Sequence, residues 1–192
     1  MLSGNNYFEG FYNGQVTNLI EVDTGLIKLN RKLPESLDVR NSFYGAKYHF
    51  ENLDYRFNPT SGWRFQLSVS LGTKRIKKNI AITQISDPEN PGETLESLYD
   101  SLGNNRLQFK GHYMLEKYWP LGRRSTIKTA LNGAAIYGEN LFTSELFRIG
   151  GTNMLRGFDE ESLFTSLYNV LTVEYRFLLS VNSYFSLFFD GA

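Results

Sequence analysis

The feature that most limits the folds open to this chain is strict alternation of apolar and polar residues over unusually long runs. In "GWRFQLSVSLG", Trp63, Phe65, Leu67, Val69 and Leu71 share one face, and Arg64, Gln66, Ser68 and Ser70 share the other. In "LQFKGHYMLEKYW", Leu107, Phe109, Tyr113, Leu115 and Trp119 oppose Gln108, Lys110, His112 and Glu116. A period of two is the signature of a half-buried strand. Similar runs fall at about 7–20, 42–57, 124–138, 166–179 and 183–191, which makes roughly seven strands. Many exceed the usual length of about five or six residues in a soluble sheet and suit a tilted bilayer crossing.

Two architectures fit such strands, a soluble all-β domain and a β-barrel with one greasy face. The connections separate them. Short turns at 57–62 ("FNPTSG"), 120–124 ("PLGRR") and 180–182 ("SVN") alternate with long polar loops at about 21–41, 77–104 and 139–165. An antiparallel up-and-down transmembrane barrel has this asymmetry, whereas a sandwich has no reason to gather its long loops at one end. No apolar run reaches the length of a spanning helix, and the mean hydropathy is −0.34, as expected where only alternate residues meet lipid. Tyr55, Phe57, Trp63, Tyr118, Trp119, Tyr175 and Phe177 lie beside the short turns and read as an interfacial girdle, although strand preference alone would also concentrate aromatics there. The loop at 77–104 breaks at Pro88 and Pro91, and a helical turn is expected around Thr94 to Leu102; its acids and prolines predict surface exposure.

Several functions are disfavoured. The 20 basic and 20 acidic side chains cancel, so no nucleic-acid partner is expected, and Lys74, Arg75, Lys77 and Lys78 read as a solvated or headgroup-level cluster. Cysteine is absent, which excludes a disulfide framework and Cys-ligated metal. His49 and His112 sit on the polar faces of different strands without a partner at ligand spacing, so no metal is expected. No nucleophile elbow, Walker loop or dinucleotide fingerprint occurs, so the chain reads as a non-enzyme without a cofactor. Its first residues, "MLSGNNYFEG", carry no secretion signal.

One loop stands out. "RIGGTNMLRGFDEE" holds Gly150 and Gly151, then Arg156, Gly157 and Phe158, then three acids. In the next two strands, Leu171, Val173, Tyr175 and Phe177, and Phe185, Leu187 and Phe189, form the apolar sets, which turns Glu174 and Asp190 to the opposite, lumen face. Two carboxylates inside a barrel require a cation, and a guanidinium can serve them bidentately. A loop folded inward could deliver Arg156, with Gly150 and Gly151 allowing the bend, Gly157 relaxing the tip and Phe158 packing beneath it. On the residues alone a second reading stands beside this one, in which Arg156 is an exposed loop arginine and both acids are ordinary lumen polars.

These residues resemble the outer-membrane insertase and translocase superfamily called Omp85, whose BamA-like members assemble barrel proteins. The resemblance rests on Gly150-Gly151, on Arg156-Gly157-Phe158, on Glu174 in "LTVEYRF" and on "FFDGA" with Asp190. It is most specific over about 147–192, and "LDYRFNPTSGWRF" extends it as a turn pattern. The resemblance implies that Glu174 and Asp190 together hold Arg156, and that the chain is one partial barrel domain over 1–192 in the bacterial outer membrane. It implies a role in protein insertion or translocation, with outer-membrane lipid, unfolded outer-membrane or secreted clients and accessory lipoproteins as partners. Family barrels hold many more strands, often behind periplasmic POTRA domains, so this chain reads as the middle and later strands of an incomplete barrel. Alternatives are the membrane barrel of a patatin-like phospholipase, a passive outer-membrane transport barrel, or a soluble β domain.

Overall fold

The computed structural model describes residues 5–90, 92–102, 106–152 and 154–192. The break expected at Pro91 and the first four residues of the amino terminus lie outside the described residues. Seven long strands dominate: β1 (Asn5–Thr17), β2 (Val39–Leu53), β3 (Gly62–Ile76), β4 (Arg106–Pro120), β5 (Ser125–Gly138), β8 (Leu167–Ser180) and β9 (Ser183–Gly191). Two short strands, β6 (Phe147–Ile149) and β7 (Leu163–Thr165), form a separate ribbon within the last long loop. The long strands pair in chain order as one antiparallel, up-and-down sheet, β1-β2-β3-β4-β5-β8-β9, which is not closed. Among the described residues no helix is long and apolar enough to cross a membrane.

The sheet is polar where it is buried and apolar where it is exposed. Along β8 the buried positions are Tyr168, Val170, Thr172, Glu174 and Arg176, while Leu171, Val173, Tyr175 and Phe177 face outward. On β9, Phe185, Leu187 and Phe189 are 64%, 70% and 66% exposed. Alternation carried through the paired strands puts the two sets on opposite faces of one sheet. The sheet curls around its polar face. The Asn58 side chain donates to the Val181 carbonyl at 2.9 Å, joining the β2–β3 turn to the β8–β9 turn although β4 and β5 lie between them.

Register explains where the long strands stop. β2 ends at Leu53 rather than near residue 57 because the Asp54 carboxylate captures the backbone N–H groups of Tyr55 and Thr60, both at 2.9 Å, and of Ser61 at 3.1 Å. An acceptor with three local donors ends the ladder and closes the turn. Tyr118, expected in the outer girdle, points the other way: it is buried and donates to Glu116 at 3.3 Å. Its neighbour Trp119 takes the outward position, as alternation requires.

The main apolar core lies above the wall, in the long loops. Ile27 of α1 (Thr24–Asn30), Ile82 of α2 (Ile80–Thr83), Leu95 and Tyr99 of the 3-10 segment Leu95–Leu102, and Phe142 pack over Leu37, Val39 and Ile76. The loop at 77–104 is therefore not simply exposed: its helical turn carries an apolar side into this cap. Lys74 corrects the reading of the basic tract as solvated, being fully buried beneath Phe142 with its ammonium 3.8 Å from the ring centre.

The outward face yields a direct test. Val173→Arg, at the centre of β8, should destabilise the protein folded in lipid vesicles by about 2–4 kcal/mol in a denaturant titration. Ser70→Asn, on the concave face, should change it little. Equal effects would mean that the apolar face does not meet lipid.

Candidate functional site

The loop between β5 and β8 enters the concave side and is held at two levels. At its top, Glu145 is buried and receives Asn41 Nδ2 at 3.0 Å, Gln108 Nε2 at 2.8 Å and the Phe142 N–H at 3.1 Å. It is also ion-paired with Lys74, whose ammonium donates to the Asn140 carbonyl at 2.6 Å. These donors come from β2, β3 and β4, so one carboxylate fastens the loop to three strands. Burial pushes the Glu145 carboxyl up, but the Lys74 ammonium, the Gln108 amide and the Phe142 N–H outweigh it and hold it below the usual 4.5. Sequence reasoning missed this acid because nothing local distinguishes it from the other loop carboxylates.

Below this anchor Ile149 of β6 and Leu155 of the segment between β6 and β7 pack with Ala134, Tyr168 and Val170 on the inner wall. Phe147 meets Tyr168 edge-to-face with ring centres 5.6 Å apart. The glycines make the bend. Gly150, Gly151 and Gly157 have φ of 120°, 93° and 97°, values that side chains disfavour. A Cβ on Gly150 would stand 2.3 Å from the Asp159 carbonyl oxygen. Gly151 anchors the tip, donating to Phe158 O at 3.2 Å and accepting from Leu155 N at 3.1 Å.

At the tip Arg156 reaches β9. Its Nε and Nη2 donate to the two Asp190 carboxylate oxygens at 2.6 and 2.8 Å, and its backbone N–H adds a third contact at 3.3 Å. The guanidinium lies over Phe188 with its carbon 3.4 Å from the ring centre. This is fork-to-carboxylate geometry with a cation–π contact. The hydrogen bonds to Asp190 hold the Arg156 proton more tightly than usual.

Two expected contacts are absent from the described hydrogen bonds and ion pairs. Glu174 lies on the same concave face but is bonded to Arg176 Nη2 at 3.0 Å, not to Arg156. Residues i and i+2 of a strand share a face, so Arg176 is the cation Glu174 meets first. Phe158 does not pack beneath the tip; it is 51% exposed, and Leu155 occupies the buried position.

The wall around the loop is a belt of paired charges. Arg64 bridges Glu51 and Glu116, each at 3.0 Å, and Lys128 binds Glu116 at 2.7 Å. His49 accepts or donates at Gln66 across 2.8 Å and stacks on Tyr7 with ring centres 4.8 Å apart. Such an array can fix strand register and hold a loop that enters the concave side.

Two outcomes follow. Because the folded Glu145 carboxyl is more acidic than an unfolded one, its stabilisation is present above 4.5 and is lost as pH falls through its depressed value. The protection of residues 139–146 against hydrogen exchange, taken relative to the intrinsic exchange rate at each pH, should therefore fall on acidification, and Glu145→Gln should flatten that dependence. Gly150→Ala should cost about 1–3 kcal/mol of local stability and expose the loop to limited proteolysis. Gly157→Ala should cost less, since nothing lies within 4 Å of its added Cβ; equal sensitivity would remove the close-approach argument.

The sequence profile of the Omp85 superfamily domain matches residues 5–192. A comparison with curated proteins gave no match.

Proposed function

This chain belongs to the Omp85 superfamily, and from that membership we propose that it forms wall strands of an outer-membrane barrel that inserts or translocates proteins. The loop carrying Arg156 serves as its internal brace. The observation that carries this reading is the bidentate Arg156–Asp190 clamp, which ties a loop rooted on β2, β3 and β4 to the distant strand β9. A brace of this kind lets a barrel wall strain or open elsewhere while the lumen plug stays seated. The work is mechanical, and no residue is assigned to catalysis.

Membrane residence sets the partners. Lipid covers the outward face, and the backbone groups of β1 and β9 on their unpaired edges require further strands, because each unsatisfied group in hydrocarbon costs several kcal/mol. Unfolded outer-membrane or secreted proteins are the clients this reading implies, with accessory lipoproteins as its other partners.

A charge swap in the intact parent protein tests the brace. Arg156→Glu leaves Asp190 facing a like charge in a buried position, so barrel stability should fall by about 3–5 kcal/mol, with loss of outer-membrane protein levels in cells. Adding Asp190→Arg should restore both in part, whereas adding Glu174→Arg should not. If Arg156→Glu leaves assembly and stability unchanged, the clamp is not a brace.

A further inference from the structure

The outward face carries one feature that a purely apolar wall would not. Lys117 of β4 points to the lipid side, where its ammonium lies 4.1 Å from the Trp63 ring centre and 5.1 Å from that of Trp119. Trp119 is fixed by its indole N–H, which donates to Thr129 at 3.2 Å. Among the described residues no acid pairs with Lys117. Two aromatic faces stabilise a cation but do not neutralise it, and an uncompensated charge at a membrane surface seeks an anion.

The surroundings indicate which anion. Lys117 sits three residues before the end of β4, a depth of about one headgroup layer given a rise of roughly 3.4 Å per residue and the strand tilt. One pleat deeper, Leu115, Leu131 and Leu171 stand side by side in register and floor an apolar groove of about 250 Å³. In the opposite direction, the turn after β4 carries exposed Arg123 and Arg124, neither ion-paired among the described residues. A positive site between two indoles, with a greasy groove below and guanidinium groups above, has the polarity profile of one lipid molecule.

We propose that Lys117, Trp63 and Trp119 form a binding site for the phosphodiester of an anionic phospholipid in the leaflet bordering the short turns. One acyl chain lies on the Leu115–Leu131–Leu171 groove. Net charge selects the lipid, because a zwitterionic headgroup brings its own ammonium to a site already occupied by one. The inference rests on the membrane reading above, through the outward face.

Trp63 and Trp119 are the chain's two tryptophans, so fluorescence excited where tyrosine does not absorb reports this site. The intact parent protein, with any tryptophan outside this chain replaced by phenylalanine, is folded into vesicles and titrated with phosphatidylglycerol or phosphatidylcholine brominated near the top of the acyl chain. Quenching by the brominated phosphatidylglycerol should show about fivefold enrichment, the worth of one basic side chain at an anionic surface. Lys117→Gln should remove most of the preference, Lys117→Arg should keep it, and replacing Arg123 and Arg124 by Gln should weaken it less than Lys117→Gln does. Equal quenching in the unaltered protein, or a preference that survives Lys117→Gln and vanishes with the turn arginines, would overturn the site. Quenching by neither lipid would show that the outward face lies outside the bilayer and would remove the membrane reading with it.

Discussion

The structure depends on how charge is disposed of on the concave face. A sheet that alternates apolar and polar residues turns every other side chain to its concave face, and in this chain those inward residues include Glu51, Arg64, Glu116, Lys128, Glu174 and Arg176. Paired across strands, they add cross-links to the backbone ladder; unpaired, each would carry a desolvation cost of several kcal/mol. The belt from Glu51 through Arg64 and Glu116 to Lys128 spans β2 to β5, and Glu174 with Arg176 continues it onto β8. Strand register and electrostatics therefore specify one another, since a slip of one residue would turn the whole belt to lipid.

Alternation is a local property, and what alternation decides could be read directly from the residues. The strands, their number, their pairing in chain order and the two faces all follow from a period of two combined with alternating short and long connections. Glu174 and Asp190 reach the concave face for that reason alone. Pairing within a face is different, because it depends on register and on rotamers that no single strand displays. Arg176 belongs to the same alternating set as Glu174 and lies two residues away, yet face assignment cannot say which of two cations an acid will choose. Asp54 shows the same limit at a strand end, where capture of three backbone N–H groups by one side chain outweighs the strand preference of Tyr55 and Phe57.

The loops were the least legible part because their polarity is mixed over short distances. Prolines and acids in 77–104 suggest solvent, but Ile82 of α2 and Leu95 and Tyr99 of the 3-10 segment turn into one buried cluster. The cap they form gives the protein an apolar core of the ordinary kind, in which burial of side chains is favourable. The hydrophobic effect thus acts on the loops, while the wall relies on hydrogen bonds and ion pairs. Lys74 lies at the junction, fully buried because Glu145 and the Phe142 ring meet it there.

That junction bears on the bracing role proposed for the last long loop. A loop attached only at its strand ends would follow β5 and β8 wherever they moved. This one has two additional anchors on opposite sides of the curl, Glu145 against β2, β3 and β4 and Arg156 against β9, with Ile149 and Leu155 filling the space between. Neighbouring strands in a sheet resist sliding but bend easily about their shared axis, so a curled wall is weakest toward changes in curvature. A strut from β3 to β9 opposes that motion because it joins strands the ladder does not connect. Both ends are chemically suited to bear such a load, since a bidentate guanidinium and a fully donated carboxylate hold direction as well as distance, which an apolar contact alone does not.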